Sequence, residues 1–344
     1  MGLSKQIIDD IKYLLDFFET SQWNHSPEFE RLEGLPILTR QDLMNLKQET
    51  QYYQTKSSGS TGEPVTVNKT YADWVWYLAT NIREFRWRGW DITKNIAMIN
   101  ARNEPHMQTG WGIPYEIESN QGNSYFIGLE PISVIQKWLE EVNPHYIQVS
   151  SNIIKQIDLS KITNYIDHKG SNEVGDSMYS SEECGTIAIT CPDNPSVYHV
   201  MENQLVEVDD DGAMVITCKT NPYIKRYKHG DHIELGTCHC GRTLQTITKI
   251  NGRVRNMFHM KNGDIKWPLI GSRTYGDYGI KRYKCFQVDL DTVEVHVVAD
   301  KIEKEEDFIG LVKEWLGQDI EVKIVYVDGF NDYKHEEFVT LVKK

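Results

Sequence analysis

Apolar positions along the chain follow two rhythms, and the change between them divides it. Ile7, Ile8, Ile11, Leu14, Leu15 and Phe18 recur at helical spacing and predict a first helix over 7–18. After a loop with Asn24, Ser26 and Pro27, an extended entry at 36–38 leads into a short helix capped by Thr39, with Asp42 placed to accept from the cap amide. Val65, Thr66 and Val67 read as a strand and 96–99 as a short buried one. Between them, 70–88 reads as a long helix carrying Trp74, Trp76, Tyr77, Leu78, Ile82, Phe85 and Trp87. Residues 101–128 keep no period, and turns at 110–112 and 120–123 suggest a hairpin or part of a pocket. A helix over 131–142, with Pro131 in its first turn and Asn143 and Pro144 ending it, precedes a strand at 146–149. This alternation predicts an α/β architecture.

From 186 the rhythm becomes one of strands and tight turns: 186–190, 198–201, 205–208 and 213–218, with an acidic turn at Asp209, Asp210, Asp211 and Gly212. These predict a small antiparallel, barrel-like sheet attached to the larger part. Paired strands at 283–289 and 293–299, a helix at 305–316 and a strand at 320–327 form a compact α+β module. The expected division is an N-terminal core over 1–254, with its β region at 186–250, and a C-terminal domain over 255–344.

A chain of 344 residues suits two such domains. Its net charge of -13, with no long basic run, argues against nucleic acid as the main partner while leaving room for a local phosphate pocket. No stretch reaches the ~20 apolar residues of a membrane span, and the N-terminus lacks a signal peptide's apolar core, so the expectation is a cytoplasmic protein with no membrane partner. Its 9 Trp and 18 Tyr suggest a pocket or interface lined by flat side chains, besides core filling.

The first candidate for chemistry is the loop Lys56, Ser57, Ser58, Gly59, Ser60, Thr61, Gly62, Glu63, Pro64, whose glycines, hydroxyls and amides suit a polyphosphate. It lacks the Walker spacing, and a Ser/Gly linker is its plain alternative. The flanking strands are expected to form a hairpin around the bound group. Second, Tyr179, Ser180, Ser181 and Glu182 offer an aromatic ring, hydroxyls and a carboxylate for a base and a phosphate-bound metal. Adjacent Glu182 and Glu183 are otherwise ordinary solvated acids. Third, Asp231 in Tyr227, Lys228, His229, Gly230, Asp231 can accept both hydroxyls of a ribose, or simply sit in a turn. Fourth, Arg253 follows Gly252 at the domain boundary, where a guanidinium reaches phosphate or ribose. A further set is soft: Cys191 and His199 flank one turn and Cys238 and Cys240 occupy another, which suits a closed tetrahedral Zn2+ site of structural kind. His239 and Cys184 are possible substitutes, and four unliganded side chains, with His199 satisfied by a backbone group, are the alternative.

In this order the pieces resemble the adenylate-forming enzymes: acyl- and aryl-CoA synthetases, peptide-synthetase adenylation domains and luciferase. The likeness is greatest to the phenylacetate-CoA ligase branch, with its capsule-biosynthesis and coenzyme F390 synthetase-like members. Ser58 to Pro64 is similar to the family's phosphate loop, Tyr179 to Glu182 to its Tyr-Gly-x-x-Glu motif with Ser180 in place of Gly, and Tyr227 to Asp231 to Tyr-x-Thr-Gly-Asp with His229 in place of Thr. The resemblance implies that Ser57, Ser58, Gly59, Ser60, Thr61 and Gly62 lie against pyrophosphate and that Tyr179 stacks on adenine, with Ser181 beside the nucleotide. It further implies Mg2+ on Glu182, ribose on Asp231, a hinge-proximal Arg253 and a catalytic lysine on the C-terminal lid, for which Lys334 is the candidate and Lys343 and Lys344 compete. The implied reaction is attack of a small carboxylic acid on the α-phosphate of ATP, giving an acyl-adenylate and pyrophosphate. Acyl transfer to a thiol such as coenzyme A, or to an amine or hydroxyl, follows. Zinc has a counterpart in some members of the branch, and homodimerisation is left open.

Departures temper the resemblance. The chain is shortened before the phosphate loop and between 149 and 178, and Val254, Arg255 and Asn256 stand where the family has Asp or Lys at the hinge. A nucleotide-binding protein that kept the fold without activity, or a zinc-stabilised scaffold, are therefore the competing readings. The acyl pocket is expected from 87–90, 101–106, 110–114 and 150–154, with Trp111 as a wall and Arg102 or His106 steering the carboxylate.

Overall fold

The computed structural model describes residues 2–25, 32, 34–49, 52–57, 64–100, 103–171, 178–266, 278–330 and 338–340. The first helical rhythm folds as α1 (Lys5–Asn24), where Ser4 caps Ile7 and Ile11, Leu14, Leu15 and Phe18 turn inward. In α2 (Arg40–Asn45), Thr39 and Asp42 form the expected reciprocal capping box. Strands β1 (Tyr53–Lys56) and β2 (Thr66–Lys69) pair antiparallel with Lys56 opposite Thr66, so the predicted hairpin exists. Helix α3 (Tyr71–Arg88) starts on a second capping box, Thr70 with Asp73, and stops at Gly89, whose φ of 68° is easy for a residue without Cβ. Val75, Leu78, Ile82 and Phe85 of α3 pack on the apolar face of α1.

Next come β3 (Ile96–Ile99), β4 (His106–Thr109), β5 (Asn123–Ile127), β6 (Tyr146–Ser150) and β7 (Asp167–Ser171), in the order β4-β5-β3-β6-β7. All pairings are parallel except β4 with β5, so the aperiodic stretch does supply an antiparallel edge. Helix α4 (Ile132–Val142) sets Ile135 and Leu139 against Ala97, Ile127 and Ile147 of this sheet.

The second rhythm builds β8 (Met178–Ser181), β9 (Gly185–Cys191), β10 (Asn194–Val200), β11 (Gln204–Val208), β12 (Ala213–Cys218), β13 (Tyr227–Gly236) and β14 (Thr246–Arg253). They form a 7-stranded antiparallel sheet, β11-β12-β13-β14-β10-β9-β8, the widest one described, and thus more than the small sheet expected. The excess is β8, β13 and β14, which lie outside the four strand ranges expected over 186–218. Strands β8 and β13 lie four steps apart in that order, roughly 19 Å along a flat sheet. Tyr179 of β8 nevertheless touches Asp231 of β13, so the sheet curls until its distant strands meet. Ile187, Tyr198, Val206, Ile216, Tyr227 and Ile247 belong to the core cluster of this curl, which Leu43, Val65 and Val67 from the earlier segments join.

The C-terminal part has its own core. Short strands β15 (Phe258–His259) and β16 (Ile265–Lys266) pair, and β17 (Arg282–Gln287), β18 (Thr292–Val298), β19 (Glu321–Tyr326) and β20 (Phe338–Thr340) form a sheet ordered β19-β18-β17-β20. Helix α5 (Glu305–Leu316) buries Phe308, Val312 and Leu316 among Phe258, Tyr283, Cys285, Val293 and Val295. Among the described residues no helix is long and apolar enough to cross a membrane.

Candidate active site and metal centre

Asp231 and Arg253 are direct cross-strand partners on β13 and β14, and this register produces their ion pair, Arg253 Nε to Asp231 Oδ1 at 2.9 Å. Tyr179 Oη donates to the other oxygen, Oδ2, at 2.5 Å. His229 Nδ1 stands 3.0 Å from the same oxygen, an approach too poorly directed to count as a hydrogen bond, and its carbonyl accepts from Arg253 Nη1 at 2.8 Å. Burial alone would raise the Asp231 carboxyl, but the His229 ring, the Arg253 guanidinium and the Tyr179 hydroxyl outweigh it and hold the pKa at about 2. Tyr179 is shifted the other way, well above a phenol's usual value, by burial and then by the Asp231 charge, so it remains a donor. Gly230, at a φ of 90°, makes the turn between His229 and Asp231 without strain.

The base of the phosphate-loop hairpin lies against the turn after β8. Thr55 Oγ1 donates to the Glu182 carbonyl at 2.6 Å, and buried Lys69 Nζ donates to the Glu183 carbonyl at 2.6 Å. Arg40 spans both parts, reaching Ser57 Oγ at 3.1 Å and Glu183 Oε1 at 3.4 Å. Ser57 closes the loop ends: its amide donates to the Val65 carbonyl and its Oγ accepts from the Val65 amide, each at 2.9 Å. Ser58, Gly59, Ser60, Thr61 and Gly62 lie outside the described residues, as do Lys334, Lys343 and Lys344. Glu182 is exposed, whereas Glu183 is buried and paired, against the expectation of two solvated acids.

Beside this turn opens a cleft of about 500 Å³, bordered by Thr55, Lys69, Ser181 and Glu182 and walled by Tyr53, Trp74 and Tyr77. The expected acyl-pocket residues are elsewhere. Trp111 is 3% exposed and packs on Phe85, Trp90, Tyr115 and Tyr146, with its Nε1 donating to the Lys94 carbonyl, so it fills a core rather than walling a pocket. Trp90 stacks on Tyr146 in the same core, and His106 is exposed and stacked on Phe126. Arg102 lies outside the described residues. The aromatic walls escaped the sequence reading, although Trp74 and Tyr77 stand three apart on α3 and so share a face, which was the available signal. Arg40, Lys69 and Glu183 gave no such signal, because their partners are remote in sequence.

Cys191, His199, Cys238 and Cys240 come together, with their ligand atoms all within 4.8 Å of one another. A tetrahedral zinc with bonds of about 2.3 Å to sulfur and 2.0 Å to nitrogen separates sulfurs by roughly 3.8 Å and sulfur from nitrogen by roughly 3.5 Å. Cys191 and Cys238 Sγ are 3.8 Å apart, and His199 Nε2 is 3.3 Å from Cys240 Sγ, so the donor set fits that ion. Burial, aided by Arg242 and Arg83, lowers the His199 pKa to about 4, which leaves the imidazole neutral as a ligand must be. Burial pushes the Cys191 thiol up to about 12. At Cys240 burial is outweighed by Arg242, whose amide donates to Sγ at 3.4 Å, and the thiol falls below its ordinary value. His199 is not satisfied by a backbone group, since its Nδ1 has no partner. Cys184, the suggested substitute, belongs to the core of the curled sheet, and neither it nor His239 joins the cluster. Arg242 also lies over Trp23 and Trp87 and bonds Gln22, which ties the ends of α1 and α3 to this corner.

No protein-family model and no curated protein matches the sequence. Solved structures do match in fold. A 2-hydroxyisobutyryl-CoA ligase in the postadenylation state, in complex with 2-HIB-AMP, superposes with a TM-score of 0.57 at 13% identity, over 99% of this chain and 89% of that one. An open conformation of that ligase with 2-HIB-AMP and CoA gives 0.54 at 14% identity, over 98% and 91%. O-succinylbenzoate coenzyme A synthetase from Bacillus subtilis, in complex with AMP, gives 0.52 at 11% identity, over 83% and 67%. At such identities the likeness speaks for architecture, and the architecture is the two-lobed α/β adenylate-forming fold, with a large N-terminal part and a smaller C-terminal lid.

Proposed function

We propose that the protein is an ATP-dependent, AMP-forming carboxylate ligase, with residues 1–254 as its core and 255–344 as its lid. The observation that carries this reading is the Tyr179–Asp231–Arg253 cluster, assembled across the curl of the sheet in a fold that supports adenylate chemistry. Asp231, ionised and rigidly held, accepts the ribose hydroxyls; Tyr179 lies against the adenine; Arg253 stands between ribose and lid. Ser57 anchors the loop whose Ser58, Gly59, Ser60, Thr61 and Gly62 receive the β- and γ-phosphates, and Ser181 faces the nucleotide. Glu182 would hold Mg2+, which when bound offsets phosphate charge as the carboxylate attacks the α-phosphate and pyrophosphate leaves. Lys334 is the proposed lid lysine that meets the charge developing on the α-phosphate.

The acceptor that best suits the reading is a thiol, because the similar structures include CoA ligases, one with CoA bound. An amine acceptor is the alternative, and the spelling of the Ser58–Pro64, Tyr179–Glu182 and Tyr227–Asp231 motifs is what supports a reading near the phenylacetate-CoA ligase branch. Zinc on Cys191, His199, Cys238 and Cys240 would be structural, with all four positions filled by protein. A cytoplasmic setting accords with six free cysteines. The test is pyrophosphate release with Mg-ATP across a panel of acids. Asp231→Ala and Glu182→Gln should each lose about 100-fold or more of the release rate, in keeping with removal of a preorganised electrostatic contact. ATP binding with no release for any acid would instead favour a nucleotide-binding protein that kept only the fold.

A further inference from the structure

At the far end of α3 from the aromatic cleft, a second cavity of about 210 Å³ opens between α3, β7 and the turn from β9 to β10. Glu84, Arg88 and Asp167 are its charged lining and Trp87, Pro192 and Pro195 wall it, whereas Tyr179, Glu182, Asp231 and Arg253 are not among its described residues. Glu84 is the anomaly. Its side chain is 1% exposed and its Oε2 accepts from Lys169 Nζ at 2.6 Å, but its Oε1 is buried with no hydrogen-bond partner among the described residues. Arg88 Nε stands 3.7 Å from Oε1, too far for a hydrogen bond. A buried acceptor left over in this way is costly, and a donor on a ligand would relieve it. We propose that the cavity binds a small uncharged molecule bearing a primary carboxamide or a lactam, whose N–H donates to Glu84 Oε1 while the carbonyl beside it accepts from Arg88.

Spacing and charge select this class. Where N–H and C=O point the same way, as in a primary carboxamide or a lactam, nitrogen and oxygen are roughly 2.2 Å apart, from bonds of about 1.33 and 1.23 Å. Two slightly diverging hydrogen bonds from that edge match the 3.7 Å between Oε1 and Nε. A secondary amide in its ordinary trans form turns the two groups to opposite sides and cannot serve both. Glu84 and Asp167 are balanced by Lys169 and Arg88, so an ion of either sign meets charges of both signs and loses its water for no net gain. A divalent metal is disfavoured as well, since Glu84 and Asp167 belong to no converging ligand set among the described residues. Arg88 is held in place over the Trp90 ring at 5.8 Å, and Trp90 Nε1 donates to Asp167 Oδ2 at 2.7 Å, so the rim is built before a ligand arrives. The volume exceeds the ~10–15 Å³ that one water needs and falls short of the ~300–1,000 Å³ of drug-sized pockets, which sets the ligand at about one small ring.

The experiment compares rings of one shape: 2-pyrrolidinone, with N–H beside C=O, cyclopentanone, with C=O alone, and pyrrolidinium, with charged N–H alone. Benzamide, acetophenone and benzamidinium repeat the comparison on a larger ring. Dissociation constants are taken from ligand-observed NMR titration of the full chain as purified, and of its Arg88→Met and Glu84→Gln variants. The amide of at least one set should bind about tenfold or more tighter than both of its analogues, the worth of one hydrogen bond to a charged group. Arg88→Met should weaken that amide about tenfold, and Glu84→Gln several-fold, because a Gln carbonyl still accepts. Glu84→Gln strips buried Lys169 of its anion, so if that variant does not fold, Arg88→Met, at a side chain 16% exposed, decides alone. Failure of both amides to bind overturns the proposal and leaves Oε1 to solvent. Equal binding within both sets, or tightest binding by the cations, overturns the class of ligand, and amide binding that Arg88→Met leaves unchanged overturns the site. None of these readouts involves ATP, so the site and the ligase reading stand or fall separately.

Discussion

The two corners of the curled sheet are built on opposite principles. In the candidate nucleotide corner the carboxylate has found its partners within the chain: one oxygen of Asp231 takes Arg253 and the other takes Tyr179, while His229 Nδ1 beside them makes no hydrogen bond. In the cysteine corner, donors face donors. Three thiol sulfurs and an imidazole nitrogen share one centre, and His199 Nδ1 is left buried without a partner. The first arrangement is stable before any ligand arrives, whereas the second is complete only around a cation. The difference implies that the cysteine corner depends on a cation to be complete, whereas the Asp231 corner is assembled without its ligand.

The largest expected effect breaks that contrast directly. Protein purified without chelator should carry about one zinc per chain by atomic emission. Chelation, or Cys238→Ser, should lower the unfolding midpoint by on the order of 10 °C, since a structural site contributes several kcal/mol to a chain of this size. The loss should spread to the ends of α1 and α3, because Arg242 couples the cluster to Gln22, Trp23 and Trp87. An unfolding temperature indifferent to chelator would make the cysteine corner ordinary packing and erase the distinction.

A smaller effect sharpens it from the other side. Lys69 is buried and lends its charge to the Glu183 carbonyl, holding the turn that carries Glu182. Lys69→Met leaves that carbonyl unsatisfied and should cost about 2 kcal/mol in urea unfolding. Pyrophosphate release should then need more Mg2+ to saturate, with ATP binding at the Asp231 side little changed. If ATP affinity falls as steeply as Mg2+ dependence, the Glu182 turn and the Asp231 cluster act as one unit rather than as separately supported parts.

How much of this was legible in the sequence depends on how local each cause is. The capping boxes of Thr39 with Asp42 and Thr70 with Asp73 rest on a spacing of three, and α2, α3, α4 and α5 fall where their periods put them. The Cys191, His199, Cys238 and Cys240 cluster was recoverable because each pair lies at one turn, and two turns on neighbouring hairpins of one sheet are brought together by register. The aromatic cleft was not recoverable in that way. It joins β1, β2, α3 and the turn after β8, so its walls are set by how the hairpin docks on the curl, and no window of sequence contains that information. Trp111 misled for the converse reason: an aromatic residue between glycines looks like a pocket wall, yet a flat ring fits a gap among Phe85, Trp90 and Tyr146 equally well.

The last effect concerns pH, and its sign follows from the direction of one shift. The Asp231 carboxyl titrates at about 2 in the fold against an ordinary 3.8, so folding favours its ionised form. A group depressed in this way adds stability that is fully present above 3.8 and is lost as pH falls through that value toward 2. The amount is on the order of 2 kcal/mol, given that one unit is about 1.4 kcal/mol. Asp231→Asn lacks the titration, so the stability gap between wild type and variant should stay constant from pH 8 to about 5 and narrow between about 4 and 2. Urea midpoints at three or four pH values would measure it. A gap that stays constant down to pH 2 would mean that pairing with Arg253 and Tyr179 does not hold the Asp231 carboxyl below its ordinary value. The nucleotide corner would then no longer be the self-satisfied one.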